Sequence, residues 1–222
     1  DLPDNPAGIS ENGDRGMRKL IFATSNEGKL KEIREIMKDS GYEVLSLKEA
    51  GIVAEVEENG KTFAENAIIK ASAIADLTGE LAMADDSGLE VDYLDKAPGI
   101  YSARFLGENT SYDIKNGYIL EKMQDVPKEK RTARFVCAIA CVFPDGTKEV
   151  KIAAVEGYIG YESKGENGFG YDPIFVVPEY GRTTAELTME EKNQISHRAK
   201  ALREMKEVLR LKDGNEKDES AC

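Results

Sequence analysis

The sequence predicts an α/β fold built on a mixed β-sheet. Three observations predict it. An apolar strand at residues 19–23 leads through a polar loop into a helix of 3.6-residue periodicity at 29–38. A second strand, a loop, a helix and a third strand follow over residues 42–84. Two long β-type runs, 131–143 and 148–158, then flank the turn Pro144-Asp145-Gly146 as a hairpin. Hairpin strands pair antiparallel, whereas strands joined through helices pair parallel, so the sheet holds both kinds.

Each element has a local reason. Residues 29–38 place Leu30, Ile33, Ile36 and Met37 on one helical face, with Ser25 or Asn26 as N-cap. The acidic, Gly-containing segment 55–60 leads to Thr62-Phe63-Ala64-Glu65, a capping box that opens a helix to Leu77 or Thr78 with Gly79 as its stop. Residues 81–84 form a short buried strand that ends on Asp85-Asp86-Ser87-Gly88. Thr110-Ser111 caps a helix through Met123, which Gly117 weakens by about 1 kcal/mol relative to Ala. A last strand at 174–177 precedes a C-terminal helical region. Residues 1–16 bury almost nothing and read as a disordered leader; residues 17–211 read as one domain, and 212–222 as a frayed polar tail.

Composition excludes several functions. With 42 acidic against 30 basic side chains the net charge is −12, which repels a polynucleotide backbone and restricts an anionic ligand to a small one met by a local cationic pocket. The longest apolar stretch, 135–143, is far short of the roughly 20 residues that span a bilayer, so no membrane partner is expected. Cys137 and Cys141 lie inside that run on one side of a strand, as two buried thiols of a cytoplasmic protein rather than a disulfide.

Three clusters carry chemistry. Thr24-Ser25-Asn26-Glu27-Gly28-Lys29 sits between a strand and a helix, where free backbone N–H groups and a partial positive charge suit a phosphate. It lacks the glycine and hydroxyl pattern of a Walker A loop, and as a plain structural element it is a capped turn. The second cluster is acidic: Glu55, Glu57 and Glu58 before one helix, Asp85 and Asp86 after one strand. Hard oxygen ligands of this kind suit Mg²⁺, although acids in such a loop are more often simply solvated. Strand alternation lets only one of the Asp pair enter a given cleft while the other braces it. The third cluster joins Gly168-Phe169-Gly170-Tyr171-Asp172-Pro173 to Lys192 and Ser196-His197-Arg198, with an aromatic ring to stack on a base and three donors for carbonyl and phosphate oxygens. The blander account makes Phe169 and Tyr171 core residues and His197 one polar position on a helix.

Helix geometry sharpens the third cluster. At about 100° per residue, Lys192 stands roughly 120° or more from His197 and Arg198 around a continuous helix, so the three can meet one ligand only if the helix breaks. Thr188 with Glu191 can cap a short first helix, and Ser196 a second one whose face carries Ala199, Leu202, Met205 and Leu209.

These segments, together with Thr62 to Ala67, Ala84 to Leu89, Ala97 to Arg104 and Ala185 to Thr188, resemble the inosine triphosphate pyrophosphatases in number and order, from Met17 to Leu209. That resemblance implies an elongated mixed β-sheet with helices on both sides and two lobes around a central nucleotide cleft, in a cytoplasmic homodimer. It also implies Mg²⁺-dependent release of pyrophosphate from ITP, dITP or XTP. In the roles it implies, Thr24, Ser25, Asn26, Glu27, Gly28 and Lys29 hold the triphosphate with Ser87. Asp86 is catalytic base and, with Glu58, metal ligand, while Phe169, Gly170, Tyr171, Asp172, Lys192, His197 and Arg198 hold base and sugar. The chain departs from the family pattern at Glu166-Asn167 and Arg182. The Maf-type pyrophosphatases share the fold but typically carry Ser-Pro-Arg-Arg where this chain has Asn26 to Lys29. A regulator that binds nucleotide without turnover is the alternative from another class.

Overall fold

The computed structural model describes residues 16–219, with side chains described as far as Gly214. The rest of the expected leader, residues 1–15, and the last residues of the expected tail, 220–222, lie outside the described residues. The chain runs β1 (Arg18–Phe22), α1 (Glu27–Met37), β2 (Tyr42–Ser46), α2 (Phe63–Thr78), β3 (Ala82–Val91) and β4 (Ala97–Pro98). It continues through α3 (Tyr112–Lys122), β5 (Thr132–Val142), β6 (Lys148–Ile159), β7 (Phe175–Val177), β8 (Arg182–Thr183), α4 (Met189–Ile195) and α5 (His197–Glu219). The strands form a single sheet in the order β2-β1-β3-β5-β6-β7-β8, with β4 on β3. β1 is parallel to β2 and β3, and the remaining pairings are antiparallel. The mixed sheet is as expected.

Strand alternation decides which helices cover which face. Leu20, Phe22, Met83, Cys137, Ile139 and Cys141 pack against Ile33 and Met37 of α1 and Ala201, Leu202, Met205 and Leu209 of α5. The opposite face offers Ile21, Ala82, Ala84, Ala138, Ala140 and Val142 to Ala67, Ala71 and Ile74 of α2. A third cluster at the other end gathers Leu89, Val91, Phe135, Val155 and Phe175 under Ile119 of α3 and its C-cap Met123. The long strands β3 and β5 therefore run from one lobe into the other. Cys137 and Cys141 are free and buried, and burial pushes each thiol up to about 12.

Several boundaries differ from expectation. β3 does not end at Ala84; Asp85, Asp86, Ser87 and Gly88 continue it in register with Ile139, Ala138, Cys137 and Val136 of β5. Charged residues persist inside this central strand because each finds a buried partner, described below. The helix predicted to fray at Lys212 continues to Glu219. Its extra turn is docked: Lys212 donates to Thr147 Oγ1 (2.9 Å), and Asp213 takes Arg18 (2.8 Å) and the Tyr42 hydroxyl (3.1 Å). The capping box at Thr62 forms by half, since Thr62 accepts from Glu65 N but the Glu65 carboxylate takes Lys61 N–H instead of that of Thr62. The short strands β4 and β8 carried no sequence signal.

The 97–104 segment packs closely on Gly88 of β3. A Cβ on Gly88 would stand 2.4 Å from Gly99 O and 2.6 Å from Ser102 Oγ. Gly88→Ala must push the 97–104 segment away, at the usual cost of overpacking, about 1–3 kcal/mol. Thermal unfolding of that variant is expected to come several degrees earlier; an unchanged midpoint would mean that the segment moves freely.

Candidate active site

The site begins where β1 stops pairing. β1 matches β3 only through Ile21↔Ala82 and Phe22↔Met83, and β4 takes up the same edge again at Glu90. Between them, among the described residues, the β3 edge carrying Asp85 to Gly88 has no ladder partner. The chain leaving β1 turns over this gap through Thr24 to Gly28. Thr24 Oγ1 accepts from Asn26 N (3.2 Å), and Asn26 caps α1 by accepting from Lys29 N (3.1 Å). Asn26 is thus the N-cap of α1, whose first turn keeps backbone N–H groups without intrahelical partners.

On the α5 side of β3, charge converges on one atom. Asp85 Oδ2 takes Lys29 Nζ (3.1 Å), Arg198 Nε (3.3 Å) and the Ser87 hydroxyl (2.8 Å). Arg198 spends its other nitrogens separately, Nη1 on Glu32 (2.8 Å) and Nη2 on Ser87 Oγ (3.2 Å). Asp85 is fully buried, which raises its pKa, but Lys29, Arg198 and Lys70 outweigh that and hold the carboxyl far below its usual range. Burial likewise raises Glu32, and Arg198 overrides it. Residues from the two ends of the chain are locked together here.

The break in the C-terminal helix is present. α4 ends at Ile195, Ser196 leaves helical geometry at ψ 138°, and its Oγ accepts from Ala199 N (3.1 Å) to open α5. Lys192, His197 and Arg198 consequently line one cavity of about 130 Å³ with Asn26, Lys29, Ser87, Phe169, Gly170, Tyr171 and Asp172. His197 stacks on Phe135 at 5.0 Å, and its burial, then Arg198 and Lys192, hold it neutral, well below 6.5. Lys192 donates to Asp172 Oδ2 (2.6 Å) and sits 4.4 Å from the Phe169 ring centre. Phe169 lies against Gly28, where a Cβ would stand 2.9 Å from its ring, and separates this cavity from a second of about 490 Å³ that reaches Gly28, Glu32 and Lys192. Tyr171 is core and cavity wall at once: it is buried, donates to Ser102 O (2.6 Å) and meets the Tyr112 ring edge-on.

Asp86 points to the other face of β3, toward α2. Asn66 Nδ2 donates to its Oδ2 (3.2 Å), and Lys70 Nζ reaches Glu58 Oε1 (2.7 Å). Burial raises Asp86 to about 6; Lys70 opposes this, while the charges of Glu58 and Asp85 add to it. Among the described residues no group of three or more acidic, His or Cys side chains is placed to cage a metal. Glu58 and Asp86 are a pair, one on a loop and one on a strand. The expected residues thus divide into a cavity set and a carboxylate set flanking one bare strand edge. Thr24, Ser25 and Glu27 shape the loop between them without lining the cavity.

The Ham1 family model matches residues 20–208, nearly the whole described sheet and both sets. The chain belongs to the Ham1 family. A Ham1 relative named dITP/XTP pyrophosphatase in Desulforamulus reducens is 55% identical over 191 residues, covering 86% of this chain and 95% of that protein. One of the same name in Bacillus subtilis is 48% identical, covering 87% and 98%. Among solved structures, the Ham1 protein of Staphylococcus aureus matches at TM-score 0.79 and 42% identity over 88% of this chain and all of its own. That of Coxiella burnetii matches at TM-score 0.79 and 41% identity, over 87% and 98%.

Sequence reasoning assigned no role to three residues of this site, Glu32, Asn66 and Lys70. Glu32 is a buried polar partner on an apolar helix face, and nothing in its local sequence marks it. Asn66 and Lys70 lie four apart on α2, a spacing that puts both on the face toward β3; that polar interruption of an apolar stripe was a usable signal. Asp85 was expected only as a brace. It is the anion on which Lys29 and Arg198 meet.

Proposed function

We propose that this chain hydrolyses dITP, XTP and ITP to the nucleoside monophosphate and pyrophosphate, acting on free purine nucleotides as a cytoplasmic homodimer. The observation that carries the reading is the meeting of Lys29 and Arg198 on Asp85, directly behind the β3 position that turns Asp86 toward Glu58. Relatives sharing about half the sequence bear the name of that activity.

The triphosphate lies along the bare β3 edge, under the N-terminus of α1. Its charge draws Lys29 off Asp85, and Asn26, Ser87 and the backbone N–H groups of the 24–29 loop take the remaining oxygens. Asp86 accepts the proton of the water attacking the α-phosphorus, and Lys29 stabilises charge on the departing pyrophosphate. Glu58 and Asp86 suit a divalent cation, because Lys70, paired with Glu58, is the one ammonium acting on both carboxylates, and burial, with the charges of Glu58 and Asp85, raises Asp86. Mg²⁺ held there would neutralise phosphate oxygens, filling its other positions with water and substrate.

Base choice follows from donors. Lys192 and Arg198 are donors only, so they donate to the 6-oxo group of hypoxanthine or xanthine and oppose the 6-amino group of adenine. Stranding a buried donor costs about 1–3 kcal/mol, so the preference over adenine is on the order of 10–100-fold in kcat/KM. A panel of dITP, XTP, ITP, GTP, ATP and dTTP, assayed for pyrophosphate with and without Mg²⁺, tests this. Turnover of the first three with Mg²⁺ is expected; binding without turnover would make the chain a regulator.

A further inference from the structure

We propose that Asn66 is the positioning residue that couples Glu58 to Asp86 and so sets the affinity of the carboxylate pair for a divalent cation. The inference rests on the reading of that pair given above. Glu58 sits in a segment, residues 53–61, that belongs to no helix or strand. Among the described residues, no backbone–backbone hydrogen bond outside regular structure is made by residues 53–61 either, so side chains from elsewhere fix where Glu58 stands. Among the described residues four such contacts are made: Arg104 Nη2 donates to Glu58 O (3.3 Å), Lys70 pairs with its carboxylate, Glu65 takes Lys61 N–H (2.6 Å), and Asn66 Oδ1 takes Gly60 N–H (2.8 Å).

Of these four residues, Asn66 is the one with a hydrogen bond to Asp86 as well. Its amide uses both ends: the oxygen holds the loop two residues after Glu58, and the NH₂ holds the Asp86 carboxylate at Oδ2. The side chain is 1% exposed, and Gly60 lies so near that a Cβ there would be 2.7 Å from Asn66 Oδ1. The amide therefore has little freedom, and it transmits that order to both acids. It cannot itself replace a carboxylate, because its NH₂ end already faces Asp86. Partners of metal ligands typically govern affinity by about 10–100-fold.

The test measures Mn²⁺ binding to the nucleotide-free full chain by the electron paramagnetic resonance signal of the free ion. Asn66→Ala removes both contacts, and Asn66→Leu removes both while keeping the volume, which guards against collapse of the pocket. Glu65→Ala is the comparison, since it loosens the same loop without touching Asp86. Both Asn66 variants are expected to weaken Mn²⁺ by about tenfold or more, with a smaller change for Glu65→Ala. Wild-type affinity in a folded Asn66 variant, or an equal loss in Glu65→Ala, overturns the inference. Glu58→Gln and Asp86→Asn separate the two levels. If neither weakens Mn²⁺, the carboxylate-pair reading fails and the inference with it; if both do while the Asn66 variants bind normally, only the inference fails.

Discussion

Asp86→Asn is expected to lower kcat for dITP by about 100-fold or more, the usual scale for losing a general base, while leaving the fold intact. The substitution keeps an oxygen for the Asn66 amide and removes only the charge. Two signatures separate this from damage. Burial, with the charges of Glu58 and Asp85, raises Asp86 to about 6, so its base form exists above that pH. kcat/KM in the parent should therefore rise with pH through about 6 at low Mg²⁺, and at lower pH as more cation favours the carboxylate. The variant should lack that limb. The stability effect has the opposite sense. An acid whose folded pKa is raised contributes stability below its unfolded value, near 4, and loses it as pH rises through 6. At pH 8 without metal, Asp86→Asn should thus unfold no earlier than the parent. A variant that is inactive because it melts early would remove Asp86 from the chemistry.

The parts of this molecule legible in its sequence are those set by local rules. The strand–loop–helix at Thr24, the hairpin about Asp145 and the break at Ser196 each follow from periodicity, turn chemistry or capping, and each is present. What local rules could not reach is where a polar residue is satisfied from far away. Asp85 to Gly88 looked like the end of a strand because acids and glycine disfavour one. They remain inside β3 because Lys29, Arg198 and Asn66, from distant segments, take up their charge. Lys212 and Asp213 looked like a frayed tail for the same reason. Their partners, Thr147, Arg18 and Tyr42, lie on strands or turns at least 65 residues away. The division of the acids between two faces of β3 was implicit in alternation, but the bare edge between those faces follows only from where β1 stops pairing.

Arg198→Met tests whether this polar core holds the lobes together. Arg198 is 2% exposed and serves Glu32, Asp85 and Ser87 through three different nitrogens, so Lys, with a single point of charge, cannot replace it. Removing one member of a buried ion pair costs about 3–5 kcal/mol, because the partner charge stays behind. For a chain of this size that is a fall in Tm of roughly 6–20 °C. The pH dependence carries the proof. In the parent, Asp85 and Glu32 are held below their ordinary values, so their contribution is complete above about pH 4 and is lost only as pH falls further, through their folded values. In the variant, burial acts on Glu32 with only Ser196 and Lys192 opposing it, and on Asp85 without its Arg198 partner. Each carboxyl then shifts upward, so relative to the parent it becomes progressively less favourable as pH rises. The deficit of the variant should be largest near neutral pH and shrink as pH approaches 4, where both acids can take protons. Urea unfolding of both proteins from pH 4 to 8 reads this directly. A deficit that does not vary with pH would mean that Arg198 contributes packing alone, and that the anion on which the two ends of the chain meet is not what joins them.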